Sequence, residues 1–91
     1  MTATAQHMRE RLAVLDASAI EIIDESHLHA GHAGAKGGGG HYRLHIVAPR
    51  FTGCTTMQRH RLVYDSLGSL MKQEIHALSI IAQTPDEAGS H

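Results

Sequence analysis

Three histidines, His27, His29 and His32, fall within the stretch ESHLHAGHAGAKGGGG, set two and three residues apart. Neutral imidazole is the commonest metal ligand among protein side chains. His27 and His29 alternate, so an extended chain would turn both rings to one side. A structural zinc site asks for four Cys or His ligands at tight spacings, and on spacing alone a solvated histidine-rich loop is the simpler account. His76 stands where a helical pattern gives way to the last strand, in Ile75-His76-Ala77-Leu78. Taken alone it reads as a strand-end histidine bonded to backbone. A third cluster, Arg59-His60-Arg61, with Arg50 before it and Lys72 beyond, could offer cations to a nucleic-acid groove from a helix that follows a turn. Successive helical positions diverge by about 100°, so Arg59 and Arg61 make no single patch, and His60 reads as a core-edge residue.

The remaining chemistry is excluded more easily than it is assigned. Cys54 is the only cysteine, which rules out an internal disulfide framework and any CxxC pair. The run Gly37 to Gly40 follows Lys36 and precedes a strand, whereas a phosphate-cradling loop needs GxxxxGK[ST] opening a helix. No carboxylate pair or Ser/His/Asp order stands out, so no enzymatic activity and no small-molecule substrate are expected. Eight Lys and Arg against nine Asp and Glu leave a net charge of −1, without the basic excess typical of proteins that live by phosphate contacts. Nine histidines qualify that balance, because a modest acid shift would protonate several of them.

Ninety-one residues suffice for one domain. With 42% hydrophobic residues but only three aromatics (Tyr42, Phe51, Tyr64), aliphatic packing must carry the core. The expected layout is a single domain over 1–91, with an ordered core from 5 to 85, a flexible Gly/His-rich loop over 27–40 and a frayed tail from 86. No apolar run approaches the ~20 residues of a membrane span. The first residues show neither the apolar core nor the cleavage site of a secretory signal. A soluble chain in a reducing, cytoplasmic compartment is therefore expected.

Residues 5–16 read as a first helix, with Met8, Leu12 and Leu15 on one face. Ala19–Asp24 reads as a strand by its β-branched content. His41–Ala48 is the clearest strand, with Tyr42, Leu44, Ile46 and Ala48 on one side, and Pro49 stops it. Arg50 to Gly53 forms a turn, and Thr55 and Thr56 are placed to cap a helix over 57–72. The stripe of that helix runs Met57, His60, Val63/Tyr64, Leu67, Leu70/Met71. Gly68 weakens it by about 1 kcal/mol relative to alanine. His76–Ala82 is the third strand. The first two strands, joined by a loop, should be antiparallel, and the third, reached through a helix, parallel to one of them. The result is an α+β fold, a three-stranded mixed sheet with helices packed on one face.

The ordered words Asp24-Glu25-Ser26-x-x-His29, His41-Tyr42-Arg43, Arg50-Phe51-Thr52-Gly53, Gln58 to Tyr64 (QRHRLVY) and His76-Ala77-Leu78 resemble the BolA family across roughly residues 8 to 85. The resemblance implies a class II KH-like order, α-β-β-α-α-β. It also implies a heterodimer with a monothiol (CGFS) glutaredoxin, bridged by a [2Fe-2S] cluster to which the partner brings its cysteine and a glutathione thiolate. Position by position, it assigns the histidine ligands to His76 and His29, with His27 or His32 as substitutes. Imidazole ligation raises a cluster's potential and makes it proton-sensitive. Family members are also described as transcriptional regulators, which makes DNA binding through Arg50, Arg59, Arg61 and Lys72 the alternative. A zinc or nickel buffer built on the histidine loop is a third, weaker reading. The GxxG loop of KH domains is absent here, since Gly53 is followed by Cys54-Thr55-Thr56.

Overall fold

The computed structural model describes residues 3–26 and 40–89. In chain order these form helix α1 (Ala3–Leu12), a 3₁₀ turn (Ala13–Leu15), strand β1 (Ala19–Asp24), strand β2 (Gly40–Val47), a 3₁₀ turn (Pro49–Phe51), helix α2 (Thr56–Leu67), a short helix α3 (Leu70–Gln73), strand β3 (Ile75–Gln83) and a short helix α4 (Pro85–Gly89). The sheet order is β1-β2-β3. β1 runs antiparallel to β2, with Ala19 opposite Val47 and Asp24 opposite Tyr42. β3 runs parallel to β2, with His41 opposite Ala77 and Val47 opposite Gln83. The mixed α+β sheet is thus as the sequence implies.

The alternation of β2 decides where the core lies. Tyr42, Leu44 and Ile46 are buried on one face and meet Met8 and Leu12 from α1, Phe51, and Val63 and Leu67 from α2. The opposite face carries no helix among the described residues and leaves Ile23 and Ile81 43% and 49% exposed.

Three expectations need correction. The first helix ends at Leu12 and tightens into a 3₁₀ turn, which Asp16 closes in the left-handed region (φ 53°), where Asp is tolerated better than most residues. The second helix does not run unbroken from 57 to 72. Gly68 takes φ 55° and ψ −127°, which only glycine adopts cheaply, and α3 starts afresh at Leu70. Its buried stripe is Val63 and Leu67, continued by Leu70 of α3. Met57 (73% exposed) and Tyr64 instead face outward, lining an open groove with Thr56, His60 and Arg61.

The third correction concerns the tail. Residues 85–89 are helical, not frayed. Thr84 N–H donates to Glu87 Oε1 (2.8 Å), and Glu87 N–H donates to Thr84 Oγ1 (3.2 Å). This reciprocal box, with Pro85 at the first helical position, is a standard helix start. The same device opens α2, where Thr55 and Gln58 exchange bonds of 2.9 and 3.1 Å. The expectation of a flexible loop over 27–40 falls outside the described residues except for Gly40, which opens β2.

Candidate metal centre

Parallel pairing sets the beginnings of β2 and β3 side by side, and this brings two histidines together. The ring centroids of His41 and His76 are 5.1 Å apart, tilted by 45°. His76 is exposed and His41 half-buried. Two imidazoles at that separation can turn a nitrogen each toward a shared acceptor or ion. In the sequence His41 stands out only as the first residue of the word His41-Tyr42-Arg43, not as a ligand. Its signal lay in the topology: a parallel β2–β3 pair makes the two strand starts neighbours.

The backbone around this pair is tightly fixed. His41 N–H donates to Ser26 Oγ at 3.0 Å, and its carbonyl accepts from Glu25 N–H at 2.7 Å. Ser26 N–H in turn donates to Asp24 Oδ1 at 2.9 Å. Gly40 N–H donates to the Glu74 carbonyl at 3.0 Å, and the ladder slips by one residue between Gly40 and His41. A Cβ on Gly40 would lie 2.5 Å from Tyr42 Cε2 and 2.7 Å from Ser26 Oγ, so only glycine fits. Glu74, one residue before β3, accepts from the Thr4 hydroxyl at 2.9 Å. That bond and, secondarily, His7 hold its carboxyl below the usual carboxylate range.

His27, His29 and His32 lie outside the described residues. What the structure fixes is where their segment is tethered. It leaves at Ser26 and returns at Gly40, and both anchors touch the His41 backbone or its neighbour.

The lone thiol is elsewhere. Cys54 lies beyond the far end of β2, and its carbonyl accepts from Arg59 Nε at 3.0 Å, while Arg59 Nη1 also reaches the Ala82 carbonyl at 3.0 Å. From His76 to Ala82 the strand covers about 20 Å, so Cys54 cannot share ligands with His76. Among the described residues no group of three His, Cys, Asp or Glu side chains could hold an ion. Beside the imidazoles this end of the sheet carries the carboxylates of Asp24, Glu25 and Glu74, and with Cys54 the single cysteine any thiolates for an iron–sulfur cluster have to come from outside the chain.

The four cations named for nucleic acid are carried by three elements, the 3₁₀ turn after β2, α2 and α3. Arg50, Arg61 and Lys72 are exposed on three separate elements. Arg59 is half-buried, and its guanidinium is committed to Glu87 through bonds of 2.6 and 3.1 Å besides the two carbonyls. That pairing raises the Arg59 pKa further and drops the Glu87 carboxyl to about 2, with the Arg59 bond the first cause and the Thr84 N–H next. Arg59 reads as a fastener for α4, which weighs against a phosphate contact from this residue.

With this geometry in hand, the comparisons are specific. The family model described as "BolA-like protein" matches residues 12–87. The SufE-like protein 1, chloroplastic/mitochondrial, of Arabidopsis thaliana is 44% identical over 86 residues, covering 88% of this chain and 23% of that protein. Protein BOLA1, chloroplastic, of the same plant is 42% identical over 90 residues, covering 94% and 56%. A relative from Escherichia coli (strain K12), 34% identical over 68 residues covering 75% of this chain and 62% of its own, is named DNA-binding transcriptional regulator BolA. The chain thus spans from about a quarter to under two thirds of these relatives' lengths. The solved BolA domain of SufE1 from Arabidopsis thaliana superposes with a TM-score of 0.82 at 40% identity, covering 96% of this chain and 98% of that one. No helix among the described residues is long and apolar enough to cross a membrane. Motif order, strand topology and these matches agree: the chain belongs to the BolA family.

Proposed function

We propose that this chain is a non-enzymatic adaptor that binds a monothiol (CGFS) glutaredoxin and supplies imidazole ligands to a [2Fe-2S] cluster shared with that partner and glutathione. The observation that carries the reading is the end of the sheet where His76 meets His41 and where the segment bearing His27, His29 and His32 is tethered on both sides. His76 is the first ligand and His29 the second. The thiolates come from the partner, because Cys54 sits at the opposite end. An exposed His76 at a strand start suits a cluster that is handed on, and a reducing cytoplasmic compartment suits its exchange.

Anaerobic reconstitution with a CGFS glutaredoxin tests this reading. His76→Ala is expected to shift the visible absorption and circular dichroism of the mixed cluster and to shorten its lifetime. An unchanged spectrum overturns the ligand assignment. His29→Ala, compared with His27→Ala and His32→Ala, identifies the second ligand. The alternative, a DNA-binding regulator, draws on the exposed Arg50, Arg61 and Lys72 and on the name of the bacterial relative. It requires promoter binding that weakens steeply with salt and with Arg61 removed, and undetectable binding at moderate salt eliminates it.

A further inference from the structure

The two edges of the sheet are finished differently. At β1, Glu25 N–H points inward to β2, so alternation turns the peptide groups of Asp24, Ile22 and Ile20 outward. This edge is short, carries Glu21 and Asp24, and has the Ile20 carbonyl taken by Arg9 Nη1 at 3.0 Å. Charges and short length are the usual protection of a sheet edge. At β3, the Gln83 carbonyl accepts from Ala48 N–H at 2.9 Å and so faces β2. Alternation then turns the peptide groups of Ala82, Ile80 and Leu78 to the outer edge, and the Ala82 carbonyl indeed accepts from Arg59. The nine residues IHALSIIAQ contain no acidic or basic residue other than His76, and no proline. Among the described residues nothing pairs with Leu78 or Ile80 on that side.

From this contrast we propose that the outer edge of β3 is a homodimer seam: a second copy of the chain adds its own β3, antiparallel, across a two-fold axis at Ser79. The pairing is self-complementary. Leu78 of each copy exchanges both peptide hydrogen bonds with Ile80 of the other, four in all. Ser79 faces its own counterpart at the non-hydrogen-bonded position, where Cα atoms approach to about 4.5 Å. Ile81, half exposed in the monomer, packs against Ala77 of the second copy. The seam stops where Arg59 holds the Ala82 carbonyl. The same pairing through β1 would set Glu21 against its own copy with the axis at Glu21, or against Glu25 of the second copy with the axis at Ile23, and like charges across strands are destabilising. A single strand-to-strand seam is a small interface, and the dimer is accordingly weak and reversible. This inference does not depend on the cluster reading.

Sedimentation velocity of the full chain over a rising concentration series, with amide exchange followed by NMR, tests the seam. The expected result is a monomer–dimer equilibrium in which only the concentrated sample protects the Leu78 and Ile80 amides. Ser79→Lys, an exposed position whose folding circular dichroism checks, is expected to abolish the dimer. Ser79→Glu should do the same, and mixing the two variants should restore it as a heterodimer. A chain that stays monomeric with both amides unprotected at every concentration overturns the proposal. So does a dimer that Ser79→Lys leaves intact, or protection of these amides seen only when a glutaredoxin is added, which would assign the edge to that partner.

Discussion

The two ends of the sheet show opposite uses of polar groups. Where β3 ends, Arg59, Glu87, Thr84 and the carbonyls of Cys54 and Ala82 satisfy one another, and α4 is fastened down. Where β3 begins, the hydrogen bonds go to the backbone around His41, and His76 is exposed beside it. One end spends its polar groups on holding the fold. The other uses backbone bonds to fix the strand start at which His41 and His76 meet. A residue's chemistry at either end therefore follows from what its neighbours already bind, and Arg59, the more conspicuous cation in the sequence, is the less free.

Substitutions at each end should break this contrast in different ways. The largest stability effect is expected from Gly40→Ala, whose added methyl meets the buried Tyr42 ring. A loss of about 2 kcal/mol in urea denaturation is expected from such overpacking, with the His41 and His76 resonances displaced. Arg59→Ala should lower the melting temperature by several degrees and release α4, seen as faster exchange at Ala88. It should leave the His41 and His76 resonances in place, and Arg59→Lys should not restore α4, since a point charge cannot replace the fork. Thr84→Ala removes the cap of α4, a change typically worth about 1 kcal/mol, and the same exchange measurement reads it.

Acid sharpens the comparison further. Glu87 falls from its ordinary 4.5 to about 2 in the folded protein. A depressed carboxyl contributes its full stabilisation above the unfolded value and loses it as pH falls through the folded one. The gap in melting temperature between the native chain and Glu87→Gln should thus be constant above pH 5 and close between about 4.5 and 2. The smallest stability effect is expected from His76→Ala, within about 0.5 kcal/mol as for an exposed site. If that variant proves strongly destabilising, His76 is a structural residue and the division between the two ends fails.

Much of this was legible in the residues themselves. β1 appears over the span its β-branched run indicates, and the alternation of Tyr42, Leu44 and Ile46 placed the core face correctly. Thr55 caps its helix as read. The failures have physical causes. Met57 and Tyr64 look like core by type, but the buried stripe is centred on Val63 and Leu67, and half-buried Arg59 takes its place on α2 through its ion pair. The box Thr84-Pro85-x-Glu87 announces a helix in the sequence as plainly as Thr55-x-x-Gln58, yet a polar run near a chain end reads as tail. His41 could not be singled out by spacing, because its partner is contributed by a strand pairing thirty-odd residues away. The loop histidines stand out by spacing and His76 by its place at a strand start, and their expected ligand roles come from the family resemblance.

The break at Gly68 also acts as a gauge of length. A parallel third strand can begin beside the start of β2 only if the chain between them travels back the full strand. β2 has eight residues, about 26 Å. α2 has twelve residues and α3 four, about 18 Å and about 6 Å of helix. The return path and the strand therefore nearly match, and the glycine supplies the change of direction between its two pieces. Where His76 comes to rest beside His41 is thus set by how many helical residues precede it. Removing one turn from α2 would leave both imidazoles in the chain and separate them by about the rise of that turn.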